Sequence, residues 1–201
     1  MFILGKCVID TMEIELKTVF QPQDLQRFLQ SEFYLKHLLP GTGEKLHLVS
    51  TYYDSPSRRL RKEGTVYRVR STTFADGHQE FESTTKRTVT KTGGVACREE
   101  INTPQKDDKP IYPDVEPLFS TKVERRIGLL QFERAVFEMA IDRGHIETVN
   151  GKCSPIDEVE FEVKEGNGED LEKLRQHLHQ VAVFKEESQS KFARGLALLG
   201  E

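Results

Sequence analysis

The chain has 201 residues, of which 36% are hydrophobic and 31% charged, and its net charge is -4. That length suits one domain with its own core, and the lean apolar share suits a fold that spends part of its interior on charge. The slightly acidic balance argues against a general nucleic-acid binder. The lack of a long apolar run argues against a membrane span, and three scattered cysteines and six scattered histidines argue against a disulfide framework or a zinc site.

Residues 1–11 read as an N-terminal extension, either an extra strand or a disordered leader, and 12–201 as a single domain. No secretory signal is recognisable, so the default is a cytoplasmic protein, monomer or homodimer. Met12–Thr18 alternates like a strand, with Glu13, Glu15 and Lys17 on one face and Met12, Ile14 and Leu16 on the other. Pro22 opens a helical pattern carried by Leu25, Phe28, Leu29 and Phe33, and Pro40-Gly41 ends it. Leu46–Tyr53 reads as a strand, followed by a turn at Asp54-Ser55-Pro56. Arg58, Arg59, Arg61 and Lys62 read as a solvated basic loop, because no aromatic platform is interleaved with them.

Gly64 leads into a strand with Arg68, Arg70 and Thr72 on one face, and Asp76-Gly77 marks a hairpin. The returning strand sets Glu82, Thr84 and Lys86 together. Gly93-Gly94 turns the chain again, and Arg98, Glu100 and Asn102 alternate on the next strand. Thr103–Pro117 is linker-like in composition. Strands over Phe119–Leu130 and Glu133–Asp142 follow. A turn near Asn150-Gly151 leads to the row Glu158, Glu160, Glu162 and Lys164, which repeats the opening motif. A second amphipathic helix carries Leu171, Leu174, Leu178 and Val181, and the tail from Ser190 is helical. About eight strands joined mostly as hairpins, with two or three helices, give an α+β protein: an antiparallel barrel with helices packed outside.

Adjacent same-face glutamates repel one another unless a cation lies between them. Arg68, Arg70, Lys86 and Arg98 form basic rows on separate strands, and forked guanidinium groups suit phosphate oxygens. Enclosed charge left unpaired costs several kcal/mol, so a barrel with these rows inside calls for both a cation and an anion. Carboxylate oxygens without His or Cys select Mg²⁺ or Mn²⁺ over zinc, and a polyphosphate is the anion that accompanies such a metal.

At these positions the sequence resembles the CYTH, or triphosphate tunnel metalloenzyme, superfamily. The resemblance rests on Glu13-x-Glu15-x-Lys17, Tyr52 to Pro56, Arg68-Val-Arg70, Thr84-Thr-Lys86, Gly93-Gly94 and Arg98 with Glu100. It continues through Pro117 to Thr121 with Arg125, Ala140-Ile-Asp142, Glu158 to Glu162, and Ser190-Lys191 with Arg194-Gly195. It runs from Met12 through nearly the whole chain and is nearest to bacterial inorganic triphosphatases, some of which carry a helical CHAD domain after the tunnel.

The resemblance implies an eight-stranded tunnel that hydrolyses inorganic triphosphate to pyrophosphate and phosphate without a serine or cysteine nucleophile. Glu13, Glu15, Lys17 and Glu160 would be catalytic. Metal ligands would come from Glu13, Glu15, Glu158, Glu160, Glu162 and Asp142. Lys17, Arg68, Arg70, Lys86, Arg98, Arg125, Lys191 and Arg194 would bind substrate, and Glu138 or Asp142 would orient a basic group or a water. Whether Arg125 or Arg126 faces inward stays open, since a one-residue slip exchanges them. A class IV adenylate cyclase or a thiamine or nucleoside triphosphatase would share the tunnel, and a non-catalytic polyphosphate-binding module is a further alternative.

Overall fold

The computed structural model describes residues 9–201. Eight antiparallel strands form a closed barrel: β1 (Ile9–Val19), β2 (Glu44–Asp54), β3 (Thr65–Thr73), β4 (Gln79–Thr92), β5 (Val95–Gln105), β6 (Glu116–Phe132), β7 (Ala135–Thr148) and β8 (Cys153–Glu165). Neighbours run β5-β4-β3-β2-β6-β7-β8-β1, and pairing of β1 with β5 closes the ring. A two-residue strand, β9 (Lys185–Glu186), adds to the end of β1 at Thr18 and Val19. Of the expected N-terminal extension, residues 1–8 lie outside the described residues; Ile9, Asp10 and Thr11 belong to β1.

Alternation decides what each face buries. The outward row of β1, β7 and β8 includes Leu16, Phe137, Met139, Val159 and Phe161. It packs beneath α1 (Pro22–Leu29), α2 (Glu32–His37) and α4 (Gly168–Val181) through Phe28, Phe33, Leu171, Leu174 and Leu178. At about 25 cal/mol per Å² of apolar area, this shell is the main source of stability. A second cluster, with Tyr52, Phe119, Val123, Ile146 and Ile156, packs against Phe192 and Leu196 of α5 (Lys191–Leu199). α5 docks tightly there: a Cβ on Gly195 would lie 2.2 Å from the Phe119 ring. Among the described residues no helix is long and apolar enough to cross a membrane.

Three local expectations are corrected. The single helix expected from Pro22 is two, because Ser31 breaks and restarts it: its hydroxyl donates to the Phe28 carbonyl at 2.7 Å and accepts from the Tyr34 amide at 3.1 Å. Both pieces still turn their phenylalanines inward.

The basic loop after Asp54 is partly a short helix, α3 (Arg59–Lys62). The buried Asp54 carboxylate accepts from the Leu60 and Arg61 amides at 2.9 and 3.3 Å, which satisfies orphan donors of that turn.

The linker-like stretch is partly strand, since β5 runs to Gln105 and β6 begins at Glu116. The Ile111 amide donates to the Tyr67 hydroxyl at 2.9 Å, and Tyr112 meets the Tyr67 ring edge-on at 4.7 Å, so the segment is held against the outside of β3.

Candidate active site

The inward row of the barrel surrounds a cavity of about 560 Å³, lined by nine Lys and Arg and seven Glu side chains. The two signs are unevenly spread over the strands. Carboxylates cluster on β7, β8 and β1, where Glu138 is opposite Glu162 and Glu162 opposite Glu15. Arg68 and Arg70 project from β3, across the barrel. Strand register puts Arg125 inside and leaves Arg126 exposed on the outer face, settling what the sequence left open.

Many of these charges are already paired. Glu13 accepts from Lys86 at 2.7 Å and Arg98 at 3.4 Å, and Glu15 accepts from Arg98 and from Lys17. Arg125 grips both oxygens of Asp142, at 2.6 and 2.7 Å, and reaches Glu160 at 2.7 Å. Lys86 also contacts Glu100 at 2.7 Å. Burial would push the Glu100 carboxyl up, but Lys86 and Arg68 outweigh it and hold it at about 2.

Arg70 has no such partner. Its Nε donates to the Ser50 hydroxyl at 2.9 Å, and among the described residues no carboxylate lies within salt-bridge distance of it. Burial, then Arg68 and Arg125, push its pKa down to about 10. Beside it, Arg68 lies 3.8 Å from Glu100, and its buried Nε has no partner. Burial would raise the Tyr52 phenol, but Arg68, Arg70, Lys191 and Lys86 more than offset it and lower its pKa. This wall therefore has spare positive charge and spare N–H donors, as an anion-binding surface does.

α5 closes one end. Lys191 lies among three carboxylates, 2.7 Å from Asp142 and 3.1 Å from Glu160 and in contact with Glu158, while Arg194 also pairs with Glu158. Burial would lower the Lys191 pKa, but Asp142, Glu160 and Glu158 raise it well above the ordinary lysine value. The carboxylates of Asp142, Glu158 and Glu160 come within 4.8 Å of one another, and the ammonium of Lys191 already provides the positive charge they share.

Of the residues singled out in the sequence, Glu13, Glu15, Lys17, Arg68, Arg70, Lys86, Arg98, Arg125, Glu160, Glu162 and Lys191 line one cavity. Asp142, Glu158 and Arg194 do not line it; they anchor α5. Glu82, Glu100, Lys164 and Tyr52 line it without having been assigned a role; the first three sit on even positions of strands whose even row is charged, whereas Tyr52 follows Leu46, Leu48 and Ser50 on β2.

The acidic wall carries the donor type that a hard divalent cation takes. Burial raises the Glu162 carboxyl, and Glu13 and Glu138 raise it further against the opposing effect of Lys164, so negative charge there is incompletely balanced. The donors are all oxygen, as Mg²⁺ or Mn²⁺ requires.

The model of the CYTH domain matches residues 11–196. The chain belongs to the CYTH family. This CYTH chain is 33% identical over 178 residues to an inorganic triphosphatase of Haemophilus influenzae, covering 79% of this chain and 47% of that protein. It thus spans about half the length of that relative. Among solved structures it resembles the PH1819 protein of Pyrococcus horikoshii, with a TM-score of 0.63 and 22% identity over 94% of this chain and 99% of that one. It also resembles a Hippeastrum protein described as a putative adenylyl cyclase with a dominant triphosphatase activity. There the TM-score is 0.62 and the identity 15%, over 92% of this chain and 95% of that one. At these identities the structural likenesses concern the fold alone.

Proposed function

We propose that this chain hydrolyses inorganic triphosphate to pyrophosphate and phosphate within the barrel, using Mg²⁺ or Mn²⁺. The observation that carries the reading is Arg70, a cavity-facing guanidinium with no carboxylate partner, crowded by Arg68 and Arg125 across from a carboxylate wall. The likeness to a Haemophilus influenzae inorganic triphosphatase supports the same substrate.

Glu13, Glu15 and Glu162, with Glu160 beside them, would hold the metal. A bound divalent cation would polarise a phosphoryl oxygen and acidify a water. Arg68, Arg70 and Arg125 would grip the phosphate oxygens and stabilise charge on the transferring group, while Lys17, Lys86 and Lys191 would orient the chain of phosphates. Water adds to a terminal phosphorus, the bridging P–O bond breaks, and pyrophosphate leaves.

The test is phosphate release from triphosphate with Mg²⁺, with Mn²⁺ and with a chelator, beside ATP and thiamine triphosphate. Metal-dependent turnover of triphosphate, greatest among the three and abolished in Glu15→Gln, is the expected result. Cyclic AMP formation from ATP, preferential turnover of thiamine triphosphate, or near-normal turnover in Glu15→Gln would overturn it.

A further inference from the structure

Lys164 lines the cavity, and no step of the proposed reaction uses it. Its neighbours are the carboxylates around Glu162. Glu162 lies opposite Glu138 on β7 and opposite Glu15 on β1, so three carboxylates stand abreast on adjacent strands. Glu15 is met by Arg98 and Lys17. Glu162 is met by Lys164, which donates to it at 2.8 Å and lies 3.8 Å from Glu138. Among the described residues no other cation is within salt-bridge distance of Glu162 or Glu138.

The second acidic group, Asp142, Glu158 and Glu160, has a lysine of its own, and the two lysines are held differently. Lys191 touches all three of its carboxylates, is only 10% exposed, and belongs to a helix packed on the Phe119 ring through Gly195. Lys164 makes one short contact and one long one, and its side chain is 38% exposed. It is the last residue but one of β8, where pairing with β7 shifts register between Val136 and Phe137. Its flexible four-carbon stem can turn the ammonium into water at small cost, whereas pulling Lys191 from its partners would strand a buried charge.

We propose that Lys164 is the resident counter-ion of the Glu138–Glu162 pair, and that a divalent cation takes the acidic wall by displacing its ammonium. This rests on the metal-dependent reading above and adds what the metal replaces. Carboxylates facing each other across a ladder repel when bare, and one ammonium offsets only part of that charge. A dication brings twice the charge and takes oxygen donors alone. It cannot settle beside Glu162 while a like charge stays in contact with the same carboxylate, so the lysine leaves as the metal enters. Lys164 thereby sets how tightly the wall holds metal and takes no part in bond breaking.

The experiment titrates Mg²⁺ and Mn²⁺ calorimetrically into the substrate-free protein: native, Lys164→Met, Lys164→Arg, Glu162→Gln, and Lys164→Met combined with Glu162→Gln. Lys164→Gln replaces Lys164→Met throughout if the apolar change impairs folding. Loss of the competing ammonium should tighten metal binding about three- to tenfold in Lys164→Met, as expected for one unit charge in a partly wet site. Lys164→Arg, which keeps the charge, should stay close to native. In the Glu162→Gln background the gain should largely vanish, because the carboxylate contested by lysine and metal is gone. Unchanged or weaker binding in Lys164→Met overturns the proposal. So does an equal gain in both backgrounds, which would reflect only the loss of one positive charge. If the native protein binds neither metal and Lys164→Met binds one, the metal-dependent reading of the native chain fails while the role of Lys164 stands. Binding by neither protein overturns both.

Discussion

Lys17 on the first strand and Lys191 on the last helix contact the same oxygen of Glu160, at 3.2 and 3.1 Å. The two ends of the chain are thus joined at one carboxylate, and Arg125 reaches its other oxygen at 2.7 Å. Burial would raise the Glu160 carboxyl, but Lys191, Lys17 and Arg125 hold it well below the usual range. Glu160→Gln leaves three partly buried cations short of an anion, at an expected cost on the order of 3 kcal/mol. Added triphosphate, itself an anion for those cations, should raise the melting temperature of the variant more than that of the native protein. Equal shifts in the two would count against this account.

Arg70 should show the opposite balance. Charged and crowded by Arg68 and Arg125, it weakens the apo fold; Arg70→Gln is expected to stabilise the protein by about 1 kcal/mol in urea denaturation. The same change should lower kcat/KM for triphosphate by roughly 100-fold or more, as loss of a charge-stabilising donor does. A variant that is less stable, or that keeps its turnover, refutes the assignment.

The acidic wall predicts a pH-dependent metal effect. Glu162 binds its proton more tightly in the native state than when unfolded, because burial and then Glu13 and Glu138 raise its carboxyl above the ordinary value of 4.5. Its contribution to stability is therefore present at low pH and lost as pH rises through the native pKa. A divalent cation binds the deprotonated form, so the stabilisation by Mg²⁺ should grow as pH rises from about 4.5 towards neutrality. At a hundredfold excess over the dissociation constant it approaches about 2.7 kcal/mol. In Glu162→Gln the rise should be smaller and flatter. Scanning calorimetry with and without Mg²⁺ across this range checks it, and a Mg²⁺ effect that shrinks with pH would contradict it.

Gly195 tests the docking of α5. An alanine there meets the Phe119 ring at 2.2 to 2.4 Å, and Phe119 is buried beside Tyr52 and Phe192. Gly195→Ala should cost about 1–3 kcal/mol as overpacking, and should lower turnover because Lys191 rides on the same helix. Normal turnover with normal stability would show that α5 tolerates a shift this packing does not allow.

Much of the barrel was legible because a strand's period is two. The alternation of Glu13, Glu15 and Lys17, and of Glu158, Glu160 and Glu162, identifies a charged face without any coordinates, and Asp76-Gly77 and Gly93-Gly94 mark hairpins by their turn chemistry. Local signals also mark α4, where Asn167 and Asp170 form a capping box. The break at Ser31 was not legible, since the apolar spacing from Leu25 to Phe33 continues across it. Nor was the seating of the 106–115 segment on Tyr67, which depends on a contact between residues 44 positions apart.

Within the site, sequence alone determined which residues are charged and which share a strand face. It did not determine which charges meet. Asp142 and Glu158 have the same inward parity as Glu160, but only the docking of α5 places Lys191 and Arg194 against them and takes them out of the cavity wall. Arg70 and Glu82 stand opposite each other on paired strands, and only the three-dimensional arrangement leaves both without an ionic partner among the described residues. Periodicity is a property of one strand and can be read locally, whereas ion pairing depends on barrel closure, strand stagger and the packing of a helix distant in sequence.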